Sequence, residues 1–482
     1  MNYGQFLNMM PEAFLVLWLI VVFFADFVLT KDTQKTKKLV LITTGALICQ
    51  ACLMFGTMEP TSAFGGIYVT SQMVNVMKII LTFGTLIVVM MSQTWLETNK
   101  KLSGEFFMLI LSTLLGMYMM MSSGSFLMFF LGLEMASVPL ACMVAFDKHK
   151  KDSAEGAAKY ILVATFSSGV MLFGISFLYA ATGSLYFDNV ATELGRNYLA
   201  TPLAIMGLVF FFSGLGFKIS LVPFHFWTAD TYQGAPTPVT GYLSVVSKGA
   251  AALTLCIILT KVFGSMVDWW NPMLWIVIML SITIANLFAI RQKELKRFMA
   301  FSSISQAGYI MLAVIGANAQ AGATALTFYV LVYVVANMAV FTVISAVEHN
   351  GGNTQMSAYN GLYQTNPKLA LLMTLALFSL AGIPPFAGMF SKFFVFLAAV
   401  NGQNAYPFWP YFVVLVALVN RVVSLYYYLL IVKAMYIKQE AHPLPTFATD
   451  STTKISLAIC TAGICLFGVV SCIYEWIASA GI

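Results

Sequence analysis

Four ionisable residues stand where ionisation is expensive. Glu134 lies in "FFLGLEMASVPLACMV", Lys218 in "GFKISLVPFHFW", Lys248 in "GYLSVVSKGA" and Lys392 in "LAGIPPFAGMFSKFFVF", each well inside an apolar run. A charge at the centre of a bilayer costs about 2.5–3.5 kcal/mol on insertion scales. Acids and bases kept at that cost are candidates for taking up and releasing protons. Burial weakens an ammonium's hold on its proton, and a nearby carboxylate strengthens it. A lysine whose carboxylate partner can approach or leave is therefore a switchable proton carrier. For Glu134 the competing expectation is a static ion pair that locks helices together. Three central lysines on separate helices exceed what such locking needs.

The elements that must position these residues are membrane spans. Of the 482 residues, 60% are hydrophobic and 9% charged, against roughly 25% charge in soluble domains. Apolar runs of about 20 residues recur along the chain, each long enough to cross a bilayer. The pattern is an all-α polytopic membrane protein; a β-barrel would show short alternating segments. The first run has no cationic region before it and is read as a helix, not a signal peptide. About fourteen spans are predicted, near 9–30, 38–57, 70–95, 104–121, 124–146, 155–180, 202–223, 237–260, 270–290, 297–317, 323–347, 367–399, 408–432 and 455–477. The seventh and twelfth are interrupted, by Pro223 and by Pro384 with Pro385. Proline removes a helical hydrogen bond and clashes with the preceding turn, and unwound backbone survives in a membrane only where protein or water lines it.

Loop charges predict orientation. With the N-terminus outside, inward loops collect Lys31, Lys35, Lys37, Lys38, Lys100, Lys101, Lys148, Lys150, Lys151, Arg291, Lys293, Lys296, Arg297, Lys368, Lys433, Lys438 and Lys454, and outward loops only Arg196 and Lys261. Seventeen against two is a strong positive-inside signal, and it places both termini outside. Six basic residues remain within spans: Lys78, Lys159, Lys218, Lys248, Lys392 and Arg421. A lysine near a helix end usually snorkels; that is the expected state of Lys78, and an even alternative for Lys159. His225, just past Pro223, either relays protons or caps unwound backbone. Asp26 is expected at the interface, and Arg421 carries no assigned use.

The interrupted spans lie five helices apart, the spacing of two five-helix units of opposite orientation. The predicted organisation is residues 1–103 as three N-terminal helices, 104–262 as a first unit (spans 4–8), 263–438 as a second, inverted unit (spans 9–13), and 439–482 as a last helix. "CQAC" (Cys49, Cys52) is read as small apolar residues of a helix, since no second ligand pair stands near it. No glycine-rich phosphate loop supports nucleotide binding, and the net charge of +6 reflects topology and not nucleic acid.

The stretches "GFKISLVPFHFWTADTYQGAPTPVTGYLSVVSK", "YILVATFSSG", "LKRFMAFSSISQAGYIML", "LFSLAGIPPFAGMFSKFFVF" and "SLYYYLLIVKAMY" resemble the subunit N family of the bacterial proton-translocating NADH–quinone oxidoreductase, respiratory complex I. The resemblance runs from span 3 to span 13, and "YQGAP" separates it from the sister subunits L and M. It implies fourteen helices and an antiporter-like half-channel in each repeat. It assigns Glu134, Lys218, Lys248 and Lys392 to proton translocation, and matches Lys159 and His225 to a span-6 lysine and the "PFH" histidine of the family. Where many members carry an arginine after "YYYL", this chain has Leu430.

The same resemblance implies that this chain holds no cofactor, the flavin mononucleotide (FMN), iron–sulfur clusters and quinone belonging to other subunits. It implies partners among the membrane subunits, antiporter-like M and L and the small K, J and A, in a bacterial inner membrane with the termini on the periplasmic side. The alternative reading is a subunit of a multi-subunit Na+/H+ antiporter, which shares the architecture. A structural anchor, or a stand-alone substrate transporter, explains the charged axis less well.

Overall fold

The computed structural model describes residues 3–98, 102–197, 202–351, 353–401, 407–438 and 444–482; Lys100 and Lys101, counted above as inward charges, lie outside them. The helices follow the apolar runs: α1 Met10–Val28, α2 Lys35–Gly56, α3 Gln72–Met91, α4 Ser103–Met121, α5 Phe126–Val144, α6 Lys151–Thr182, α7 Pro202–Ile219, α8 Phe226–Gly234, α9 Thr237–Val262, α10 Val267–Ile290, α11 Leu295–Leu312, α12 Ala319–Gly351, α13 Pro367–Ala381, α14 Ala387–Val400, α15 Phe408–Tyr436, α16 Ser451–Val469 and α17 Ser471–Ser479. Among the described residues, 12 helices are long and apolar enough to span a membrane, and α13 and α14 are shorter apolar pieces. A two-residue antiparallel ribbon, Ser62–Ala63 with Tyr68–Val69, closes the loop between α2 and α3.

The last predicted span, 455–477, is not one helix. Val470 takes an extended backbone (φ −90°, ψ 96°) and starts the nine-residue α17. The end of the chain then folds back: Gly481 accepts from the Met73 backbone N–H and donates to Gln72 Oε1, and Gln320 Nε2 donates to the Ala480 carbonyl at 2.6 Å. At the other end of the chain, Asn8 Nδ2 donates to the Ser62 carbonyl at 2.7 Å. Both termini therefore sit at one face of the bundle, beside the starts of α3 and α12.

Helix α12 is apolar all round and wholly buried along its apolar window, as a helix inside a large bundle must be. It packs against α3, α9, α13, α14 and α16. α1 is the opposite case, with Phe27 and Val28 more than three-quarters exposed; such a face meets lipid or a neighbouring subunit.

Both expected interruptions are present. After α7 the backbone turns at Ser220, whose φ of +66° is rare for a side-chain-bearing residue. After α13 it turns at Gly382 (φ +83°), a left-handed cap that glycine adopts without strain. Six residues on, Gly388 lets the two half-helices touch, since a Cβ there would lie 1.7 Å from the Ser379 carbonyl oxygen.

Candidate functional site

α5, α6 and the end of α7 position the first group. Lys218 is buried, and its ammonium donates to Ser137 Oγ at 2.8 Å and Tyr160 OH at 3.3 Å. Glu134 stands one turn before Ser137 on α5, only partly buried, and accepts from Ser168 Oγ of α6 at 2.5 Å. Among the described residues no direct ion pair joins Glu134 to Lys218; Ser137, which accepts from Lys218, donates in turn to the Leu133 carbonyl. Tyr160 packs edge-on to Trp227, and the Trp227 indole donates to the Phe217 carbonyl at 3.2 Å, tying the two sides of the break together. His225 lies buried in the break, its ring stacked on the exposed Phe226.

Lys248 holds the centre. Its ammonium donates to Ser303 Oγ of α11 at 2.7 Å and lies 5.4 Å from the centre of the Tyr232 ring. The five residues before it, Leu243–Ser247, form a π-helical turn, and Ile258–Val262 form another. Such turns interrupt the normal hydrogen-bond ladder and recur at functional sites. One charge-assisted hydrogen bond contributes about 1.5–3 kcal/mol, close to the insertion cost of the charge, so each lysine is held but not locked.

From Lys248 a polar file leads to the second break. Ser303 is followed in α11 by Gln306, one turn on, and preceded by Ser302, which bonds Tyr428 OH of α15 at 2.5 Å. Gln306 Nε2 donates to Tyr428 OH at 3.3 Å and to the Leu380 carbonyl at 3.4 Å. Lys392 donates to that same Leu380 carbonyl at 2.6 Å and lies 5.0 Å from the Tyr309 ring centre. Between Gln306, Tyr329, Ser379, Ser391 and Lys392 is a cavity of about 10 Å³, room for about one water. Arg421, left without a use by the sequence, donates to the Gly382 carbonyl. Two cations thus meet the negative end of α13.

Other expectations are redrawn. Lys78 does not snorkel: it is fully buried and paired with buried Glu12 at 2.7 Å. Glu12, in "MPEAFLVLW", was not singled out in the sequence, because at the start of an apolar run an acid reads as a helix end. Lys159 is 42% exposed and bonds Glu155 and Asp230, with Arg297 on the other oxygen of Asp230; it belongs to a surface ion cluster and touches none of the three central lysines. Burial raises the Asp230 carboxyl, but Lys159 and Arg297 outweigh it and hold the group below the usual carboxylate range. Asp26 pairs with Lys35 at 2.8 Å. Lys296, counted as a loop charge, is buried and donates to the Ala235 carbonyl within "YQGAP" at 3.0 Å.

Broken helices carrying a line of buried lysines through a bundle define a membrane ion carrier of the antiporter class. Residues 123–419 match the family described as NADH:quinone oxidoreductase/Mrp antiporter, transmembrane. The chain is 57% identical to NADH-quinone oxidoreductase subunit N of Phocaeicola vulgatus over 427 residues, 88% of each chain. It is 48% identical to the subunit N of Azobacteroides pseudotrichonymphae over 99% of this chain and 98% of that one. A chain of the respiratory complex I structure from Thermus thermophilus superimposes with a TM-score of 0.79 at 29% identity, covering 98% of this chain and all of that one. The chain belongs to the subunit N family of NADH-quinone oxidoreductases.

Proposed function

We propose that this chain is the proton-translocating membrane subunit N of a respiratory NADH–quinone oxidoreductase, moving H+ along Glu134, Lys218, Lys248 and Lys392. The observation that carries the reading is the line of buried polar groups between the two lysines: Lys248 bonds Ser303, the neighbouring Ser302 bonds Tyr428, Tyr428 accepts from Gln306, and Gln306 and Lys392 share the Leu380 carbonyl. A proton reaching Glu134 neutralises the carboxylate and removes the field that favours the Lys218 ammonium. Lys218 then releases its proton toward Lys248 past Tyr160 and Tyr232, and Lys248 passes one on to Lys392. His225 serves the first break as a second acceptor, and Lys159 serves the surface cluster at which water meets α8.

In this reading residues 104–262 and 263–438 are the two inverted units of a fourteen-span chain. FMN, iron–sulfur clusters and quinone lie in other subunits, and the neighbours are subunits K, J, A, M and L. The membrane is the bacterial inner membrane, and the terminal face is periplasmic, supported by the seventeen-to-two asymmetry of loop cations. The Mrp side of the family offers a Na+/H+ antiporter subunit as the second reading; the names of the close relatives favour the first.

The test is Lys248→Ala in the assembled complex, reconstituted in liposomes. Quinone reduction and proton uptake should fall together by roughly 100-fold, the lower end of what a positioned proton-transfer group contributes. Wild-type proton-to-electron ratios, or turnover that requires Na+, would reject the reading.

A further inference from the structure

Glu12 and Lys78 form a charge pair that the axis above does not use. Their side chains are 3% and 0% exposed, and the pair lies in the terminal-face half of the bundle, between the first turn of α1 and the second turn of α3. Exchanging a buried ion pair for apolar residues is often neutral or stabilising, so stability alone gives little reason for this pair. Its surroundings are proton-handling groups. Tyr68 OH donates to Glu12 Oε2 at 2.9 Å, and the Lys78 ammonium reaches Tyr68 OH at 3.4 Å and Ser122 Oγ donates to Glu12 Oε1 at 3.5 Å. The rings of Tyr68 and Tyr118 each lie 5.5 Å from the Lys78 nitrogen.

Two polar connections leave the pair. Toward the terminal face, Tyr68 lines a cavity of about 260 Å³ that also touches buried Asn75 and Pro11 and, at its rim, exposed Leu7 and Glu59. Asn75 Oδ1 is buried there with no hydrogen-bond partner among the described residues, a polar atom placed for water. Toward the centre, Lys78, Thr82 and Thr85 line one face of α3. Tyr118 OH bonds Thr82 and donates to the Lys78 carbonyl at 3.3 Å. Thr85 faces the Tyr242 hydroxyl, which accepts from Thr113 Oγ1 at 2.8 Å. Tyr242 immediately precedes the π-helical turn Leu243–Ser247, which leads into Lys248.

We infer that Glu12 and Lys78 are a protonatable station on a branch between Lys248 and the terminal-face water, with Tyr68 as its gate; this rests on the proton-carrying role of Lys248 proposed above. One proton passes from the Lys78 ammonium to the Glu12 carboxylate, leaving an amine and an acid without net change of charge. The acid then loses that proton through the Tyr68 hydroxyl to cavity water, and the amine takes the next proton from the α3 side, restoring the pair.

The experiment uses the whole complex in liposomes, with quinone reduction and proton uptake measured together. Tyr68→Phe removes one hydroxyl and keeps the ring; Glu12→Gln removes the charge. Both should assemble and show coupled pumping lowered about tenfold, the factor set by about 1.4 kcal/mol on a barrier. Unaltered pumping in Tyr68→Phe overturns the branch, and this variant decides the matter should Glu12→Gln fail to assemble. Recovery of pumping in the double variant Glu12→Leu with Lys78→Met also overturns it, since an apolar pair replaces a latch but not a proton carrier. Lys248→Ala, run alongside, separates the two ideas. If Lys248→Ala pumps normally the axis reading fails, and if it is inactive while Tyr68→Phe is normal only the branch fails.

Discussion

The two breaks look alike in outline and differ in how they hold their lysine. At the first, Lys218 sits before the turn and gives its protons to side-chain hydroxyls, Ser137 and Tyr160, with a carboxylate one helical turn beyond. At the second, Lys392 sits after the turn and gives its protons to the backbone carbonyls of Leu380 and Ala381, with Arg421 bonded to the next carbonyl in line. Hydroxyls rotate and can accept or donate, so the first site can rearrange its hydrogen bonds at little cost. Carbonyls only accept, and their positions are set by a helix end. The first break is thus built to respond to a change of charge, and the second to present a fixed, negative helix terminus to whatever arrives.

The comparison is broken most directly at the second site. Lys392→Ala should leave the complex assembled and reduce coupled pumping by roughly 100-fold, as loss of a positioned acid–base group does; the proton-to-electron ratio in liposomes is the measurement. Glu134→Gln and Lys218→Ala should each slow pumping, and the double variant should be no worse than the worse single, because the two serve one step. The non-additivity expected is about 0.5–3 kcal/mol, and additive losses would mean that the hydroxyl-held site does not switch.

Gly388→Ala tests the rigidity of the second break without touching a charge. The new Cβ collides with the Ser379 carbonyl, and overpacking of this kind costs about 1–3 kcal/mol, read as a lower melting temperature of the complex. Ser137→Ala removes one acceptor from Lys218, a charge-assisted bond of about 1.5–3 kcal/mol, and should slow pumping about tenfold or more with normal assembly. If Ser137→Ala is silent, the first lysine does not depend on its hydroxyl cradle.

The smallest effect belongs to the surface cluster. Asp230→Asn should change stability by no more than about 1 kcal/mol, since its cationic partners Lys159 and Arg297 lie at the surface, 42% and 35% exposed. The Asp230 carboxyl lies below its usual range, so its contribution is fully present above the ordinary aspartate value of about 3.9. It is lost as the pH falls through the lower folded value. The difference in melting temperature between wild type and variant should therefore be constant near neutrality and vanish in acid.

Much of this was legible in the chain itself, because hydropathy, proline and loop charge are local. The observed ends of α5, α9 and α15 lie within a few residues of the predicted runs, since a helix must keep its apolar residues contiguous to span the bilayer. Glu134, Lys218, Lys248 and Lys392 stood out because a charge amid twenty apolar residues is costly wherever the helix ends up. Where a local rule met a second, non-local partner, the reading failed. Lys78 looked like a snorkelling residue until α1 brought Glu12 beside it, 66 positions away. Lys159, open from the sequence to either snorkelling or relaying, met its partner only when α8 placed Asp230 against it near the surface, 71 positions on.

What the sequence determined by itself is therefore the helical, membrane-spanning character of the chain, the two breaks and the charges that must be explained. What only the tertiary structure decided is which group each charge meets. Ser302 reaches Tyr428 across 126 positions, and Lys218 reaches Ser137 across 81. Such contacts depend on how helices rotate and cross, and no pattern along one helix encodes the face that its neighbour presents. The physical reason is range. Hydrophobic length and backbone breaking act over a few residues, whereas a hydrogen bond between buried side chains exists only once the packing of the whole bundle has placed both ends within about 3 Å of each other.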